Sequence, residues 1–119
     1  MKLKTKKIKK PSKTTLRNKA DKLFSAKIRA RGACQLCGKK DDTLQCAHII
    51  SRSNLHLRYN EKNALCLCAG DHLFWHRNPL SAIRWLQETY PDLYDYLFDE
   101  QHVLERNFDY TKVIESLKC

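Results

Sequence analysis

Cys34-Gln-Leu-Cys37-Gly38 constrains this chain more than any other run of its sequence. Two thiolates at that spacing can both reach one tetrahedral ion at ~2.3 Å, and the glycine permits the tight turn beneath it. Such a clip needs a second pair of ligands downstream, so it ties two distant segments together. Cys66-Leu-Cys68-Ala-Gly-Asp71 is the region that can supply them. Cys68 with Asp71 repeats the spacing and brings a carboxylate as fourth ligand. Cys66 with Cys68 offers two thiolates on one face of a strand, but farther apart. The first pairing is preferred, making Cys34, Cys37, Cys68 and Asp71 a structural zinc site. Cys46 is expected to be a small buried hydrophobe and Cys119 a free terminal thiol. Six cysteines in 119 residues also suit a disulfide framework. Against that, the chain starts without the apolar stretch of a secretory signal, and disulfides are rare in the cytosol. The expected location is cytoplasmic.

Charge divides the chain as sharply as the cysteines do. Lys and Arg number 23 against 13 Asp and Glu, for a formal charge of +10. Residues 1–31 hold 13 of the bases and a single acid, Asp21, a net of +12; the other 88 residues hold 10 bases and 12 acids, a net of −2. The pattern predicts a nearly neutral body with a strongly basic arm. Residues 1–13 carry seven Lys and almost nothing to bury, which reads as a disordered tail. Its Lys6, Lys7, Lys9 and Lys10 are expected to contact nucleic-acid phosphates through sequence-independent, salt-sensitive attraction. No run approaches the ~18 apolar residues of a membrane span. One domain over 14–119 is expected at this length, with an apolar fraction of 42% and a metal clip adding stability that a small core lacks.

Within that domain, Leu16, Ala20, Leu23, Phe24 and Ile28 recur at helical spacing. They predict a basic amphipathic helix over 16–31, inside a segment 14–32 that opens on the N-cap chemistry of Ser12 to Thr15 and is closed by Gly32. Residues 43–50 and 63–68 read as strands, 51–62 as a polar loop. Gly70 is expected to break the second strand, with a helix from Asp71 to Arg77. Further helices are expected over 81–90 and 91–99, the latter with Pro91 in its first turn, and a last one capped by Asp109 or Thr111. Trp75, Trp85, Tyr90, Tyr94, Tyr96 and Phe98 read as helix-packing aromatics, and His56 as plain surface.

A second constellation is His72-Leu-Phe-Trp-His76. Residues i and i+4 share one helix face, so both imidazoles can bind one ion. His48 ends the first strand, and Asn63 and His72 follow it by 15 and 24 residues. These residues close on one site if the strands form a hairpin with the helix packed across it.

Together, Cys34-x2-Cys37, Leu44-Gln-Cys-Ala-His48-Ile, Asn63-Ala-Leu-Cys-Leu-Cys68 and His72-x3-His76-x2-Pro79 resemble the HNH endonucleases. The similarity is to zinc-knuckle versions from bacteriophages, including the NinG-type recombination nucleases, and it covers about residues 33–80. It implies an α+β fold in which a small zinc-stabilised, treble-clef-like ββα-metal core carries flanking helices, those of 81–119 following it. By the same resemblance His48 is the general base, Asn63 the loop asparagine that holds the base strand, and His72 and His76 ligands of a catalytic ion such as Mg²⁺, Mn²⁺ or Ni²⁺. Ala47 stands where the family often has a further ligand, Asp or His. The expected activity is metal-dependent hydrolysis of DNA phosphodiester bonds in phage recombination or DNA processing, within the bacterial host cell. DNA is the expected partner, held mostly by its backbone, with Arg52 and Arg58 of the loop as further contacts. The acidic C-terminal helices are expected to pack behind the site or to meet a protein partner. The alternative is a zinc-dependent DNA-binding module without catalysis.

Overall fold

The computed structural model describes residues 10–118. In chain order the elements are α1 (Lys13–Arg29), β1 (Gln45–His48), α2 (Leu55–Arg58), a 3₁₀ turn (Glu61–Asn63), β2 (Ala64–Leu67), α3 (Ala69–Arg77), α4 (Pro79–Thr89), α5 (Pro91–Glu100) and α6 (Tyr110–Leu117). The architecture is α+β, with one two-stranded antiparallel sheet among helices. Lys6, Lys7, Lys9, Cys119 and most of the expected tail lie outside the described residues.

The hairpin registers Gln45 with Leu67, Cys46 with Cys66, Ala47 with Leu65 and His48 with Ala64. Side chains alternate between the faces of a strand, and here both faces are covered. Ala47, Leu65 and Leu67 pack with Trp75, Ala82 and Leu86 of α3 and α4. Ala64 and Cys66 pack with Phe24 and Ile28 of α1. That two-sided burial explains why residues 63–68 are all buried and read as a continuous apolar run. α1 lies against the sheet and against α6, so the two ends of the described chain meet.

Several boundaries differ from expectation. α1 begins at Lys13 rather than Leu16, because the Ser12 hydroxyl accepts from Thr15 N–H at 3.1 Å and caps it. The expected tail therefore ends sooner, and Lys10 is exposed just ahead of the cap. α1 stops at Arg29 on an Ala30 C-cap, with Gly32 two residues on at φ +84°. The strands are shorter than read, four residues each. Gly70 does not end β2. It lies within α3, whose N-cap is Cys68, so the helix starts two residues before Asp71. The polar loop also contains structure: Asn54 caps α2 and Asn60 caps the 3₁₀ turn, each with its own side chain. Short capped turns of this kind carry no apolar periodicity, so periodicity cannot reveal them. Asp109, not Thr111, caps α6. No described helix is long and apolar enough to cross a membrane.

Candidate metal centre and catalytic cleft

The knuckle folds as its spacing demands. Gly38 N–H donates to the Cys34 carbonyl at 2.8 Å, Cys34 N–H to the Lys39 carbonyl at 2.8 Å, and Gly38 adopts φ +79°. That angle is open to glycine and strained for a side chain. The turn presents Cys34 and Cys37 to the start of α3, where Cys68 is the N-cap and Asp71 the third helical residue. A carboxylate in the first turn also faces the positive end of the helix dipole.

Ligand atoms of Cys34, Cys37, Cys68 and Asp71 all lie within 4.8 Å of one another. Asp71 Oδ2 is 3.1 Å from Cys34 Sγ and 3.3 Å from Cys68 Sγ, and Cys37 Sγ is 3.9 Å from Cys68 Sγ. A tetrahedron with ~2.3 Å metal–sulfur bonds has edges of about 3.8 Å. Three thiols and a carboxylate at these separations can hold one metal ion and suit Zn²⁺. The Asp71 carboxylate pushes the Cys37 thiol up to about 12, while the three thiols draw Asp71 below the ordinary range. A bound cation reverses that balance, because ligation takes the thiolate form.

The alternative pairing through Cys66 is not the one formed. Cys66 is fully buried on the α1 face beside Phe24 and Ile28, whereas Cys68 has left the strand to cap α3. Strand alternation would have put the two on one side; the turn into the helix separates them. Cys46 is half-buried opposite Cys66, and burial pushes its thiol up to about 11. It is thus half-buried rather than buried as expected, and it lines a cleft together with His48.

One residue beyond the cluster the chain enters a cleft of about 1110 Å³ between α1 and α3–α4, with the end of β1 in its floor. His48, His72 and His76 all line it. His48 Nε2–H donates to the Arg58 carbonyl at 2.8 Å, which leaves Nδ1 as the acceptor nitrogen. Its ring lies 5.6 Å from the Phe24 ring, and burial lowers its pKa below the ordinary histidine value. On α3, His72 Nε2 and His76 Nε2 converge to 3.0 Å. That separation fits two nitrogens bound at right angles by ~2.1 Å bonds, and imidazole pairs suit ions such as Ni²⁺ or Zn²⁺. His72 Nδ1–H donates to Gln45 Oε1 at 2.7 Å, which turns Nε2 toward the cleft. Burial, then the neighbouring His76, lowers His72 as well.

Asn63 is fully buried and spans the mouth of the hairpin. Its Oδ1 accepts from Ile50 N–H at 2.7 Å, and its Nδ2 donates to the Ile50 and Leu57 carbonyls at 3.0 and 3.2 Å. It thereby holds the chain that leaves His48. Ala47 points the other way, fully buried among Leu65 and Trp75, and adds no donor to the histidine pair.

The two loop arginines fare differently. Arg52 lines the cleft with no ion pair among the described residues. Arg58 is held by both Asp21 oxygens at 3.0 and 2.7 Å, and by the Arg52 carbonyl at 3.0 Å. Tyr59 Oη donates to the same carboxylate at 2.9 Å. Burial opposes the Asp21 charge, but these hydrogen bonds prevail and lower its pKa. His56 is not plain surface: its Nε2 meets Glu100 at 2.7 Å, tying α2 to the end of α5. Asn54 and Asn60 reach the Gln101 carbonyl and Tyr96 Oη from the same loop. The acidic helix α5 therefore packs behind the loop, and Trp75, Trp85 and Tyr90 pack edge to face. Phe98, expected to pack between helices, is instead 56% exposed, and Tyr96 meets Asn60 and Lys62.

Four contributors escaped the sequence reading. Asp21 had a legible signal, as the one acid among the 13 bases of residues 1–31. Gln45, Lys22 and Arg29 had none, since only the packing of α1 and α3 on the hairpin places them at the cleft. No family model matches this chain, and neither a curated protein nor a solved structure matches it.

Proposed function

We propose that this protein is a metal-dependent endonuclease of the HNH type that hydrolyses DNA phosphodiester bonds, with the zinc-clipped hairpin and α3 as its treble-clef-like ββα-metal core. The observation that carries this reading is one cleft lined by His48, with its Nδ1 unbonded, and by the converging His72–His76 pair. Burial favours neutral His48 near pH 7, the form able to accept a proton. Its Nδ1 would take that proton from a water as the oxygen attacks phosphorus, while the Arg58 carbonyl holds the ring by Nε2. Asn63 keeps the His48 strand end in place, and Gln45 orients His72. His72 and His76 would hold a divalent ion such as Mg²⁺, Mn²⁺ or Ni²⁺, which supplies charge stabilisation at the phosphate and the leaving oxygen when bound. The phage setting, in recombination or DNA processing, belongs to the same reading.

A non-catalytic DNA-binding module that keeps the zinc clip is favoured by one observation: buried Ala47 leaves the histidine pair without a third protein ligand. A plasmid-nicking assay with Mg²⁺, Mn²⁺ and Ni²⁺ separates the two. Cutting by the wild-type protein that disappears in His48→Ala supports the enzyme. Duplex binding without cutting in any of the three metals leaves the module.

A further inference from the structure

Four cations line the cleft: Lys22, Arg29, Arg52 and Arg58. Arg58 is already neutralised by Asp21. Lys22, Arg29 and Arg52 form no ion pair among the described residues, although Glu61 and Asp41 pair with Lys27 and Lys39 nearby in the chain. The three unpaired cations thus line one cleft, two from α1 and one from the loop after β1. No Lys or Arg of α3 or α4 lines the opposite wall, where Trp75, Pro79 and Ile83 stand.

Lys22 and Arg29 are seven residues apart on α1, two turns along the same face and about 10.5 Å along the axis. One strand of a DNA duplex carries a charge per about 3.4 Å of its axis, so two cations at that span can meet different phosphates of the same strand. Phe24, whose ring contacts His48, lies between them in the helix. Phe24 and Ile28 are each 1% exposed and pin α1 to the sheet, so the cationic wall is rigid relative to His48.

Resting on the nuclease reading for its substrate, we propose that α1 is a phosphate-binding rail. Lys22 and Arg29, with Arg52 from the loop, contact phosphates of one DNA strand on both sides of the phosphate that faces His48. The phosphate that faces His48 then lies between this rail and the His72–His76 pair of α3 on the opposite wall. The Arg58 side chain, paired with Asp21, contacts no phosphate and holds the loop whose carbonyl orients His48.

The test is a salt series of duplex binding by the full chain, followed by fluorescence anisotropy without added Mg²⁺, Mn²⁺ or Ni²⁺. Lys22→Ala/Arg29→Ala is compared with Arg77→Ala/Arg84→Ala, which removes the same charge outside the cleft. Each phosphate contact contributes about 0.9 to the slope of log affinity against log salt. The α1 pair should lower the slope by about 1.8, or about 60-fold in affinity at 0.1 M relative to 1 M. The outer pair should leave it near wild type. Both pairs are exposed, and equal zinc content and melting temperature confirm that the variants fold. If the wild type binds and cuts DNA but the α1 pair keeps its slope, or the outer pair loses as much, the rail is overturned and the nuclease reading stands. If the wild type shows no salt-dependent duplex binding, the rail is overturned, and the nicking assay decides the nuclease reading separately.

Discussion

Single side chains set the protonation and direction of the proposed base. His48 would contribute only while a proton leaves water, so His48→Ala should lower turnover by about 10²–10⁴-fold with DNA affinity within a few-fold of wild type. Cutting at the wild-type rate in a nicking assay would remove His48 from the mechanism. Because burial lowers its pKa, the base is neutral from below the ordinary value of ~6.5 upward. Turnover at saturating divalent ion should therefore rise with pH in the acid range and be level by pH 7. A rise centred above pH 7 would contradict that ordering. Asp21 acts through Arg58, whose carbonyl receives the His48 proton donor. Asp21→Asn should cost about 1–3 kcal/mol at pH 7 through lost charge-assisted hydrogen bonds. The folded pKa of Asp21 lies below its unfolded value near 3.9. Its stabilisation is therefore complete above that value and vanishes as pH falls through the folded one. The gap between denaturant melts of the two proteins should narrow as pH falls below the unfolded value, and a constant gap would exclude Asp21 ionisation as the cause.

The element that couples the two sites is α3. Cys68 caps it, Asp71 occupies its first turn, and His72 and His76 follow on the cleft side. Asp71→Ala should reduce zinc retention against a chelator, because three thiols remain without the carboxylate. Cys66→Ser should retain zinc and lose stability, because it places a hydroxyl among Phe24, Ile28 and Ala64. Elemental analysis and thermal melts check both, and the reverse pattern would return Cys66 to the cluster. Gly70 sits inside α3 with open space around an added Cβ and no left-handed angle. Gly70→Ala should accordingly stabilise the protein by about 0.4–1 kcal/mol. A loss of stability would show that the helix start needs the glycine after all.

At the scale of the whole molecule, the Cys–Asp cluster and the cleft belong to one assembly. The knuckle, β2 and α3 meet at the four ligands, and α1 closes the cleft from the far side of the sheet. A small core gains folding free energy from such a clip. Stripping the metal with a strong thiol-compatible chelator should lower the melting temperature and abolish cutting even with Mn²⁺ in excess. Retained cutting in a protein shown to be zinc-free would uncouple the sites.

Local chemistry was legible in the residues themselves. The C-x2-C-G knuckle, the Cys68–Asp71 spacing and the i, i+4 histidines each depend on a few neighbouring residues, so the chain alone specifies them. The apolar period of α1 and the capping residues Ser12 and Asp109 were legible for the same reason. Tertiary structure decided everything that depends on distant segments meeting. The exclusion of Cys66 followed from the turn that carries Cys68 into α3. The withdrawal of Arg58 from the solvent-facing set followed from Asp21, 37 residues away. Lys22 and Arg29 look like any other bases of a solvated helix face until α1 is laid against the hairpin. Charge and spacing are properties of the sequence, but which charges remain unpaired is a property of the packing.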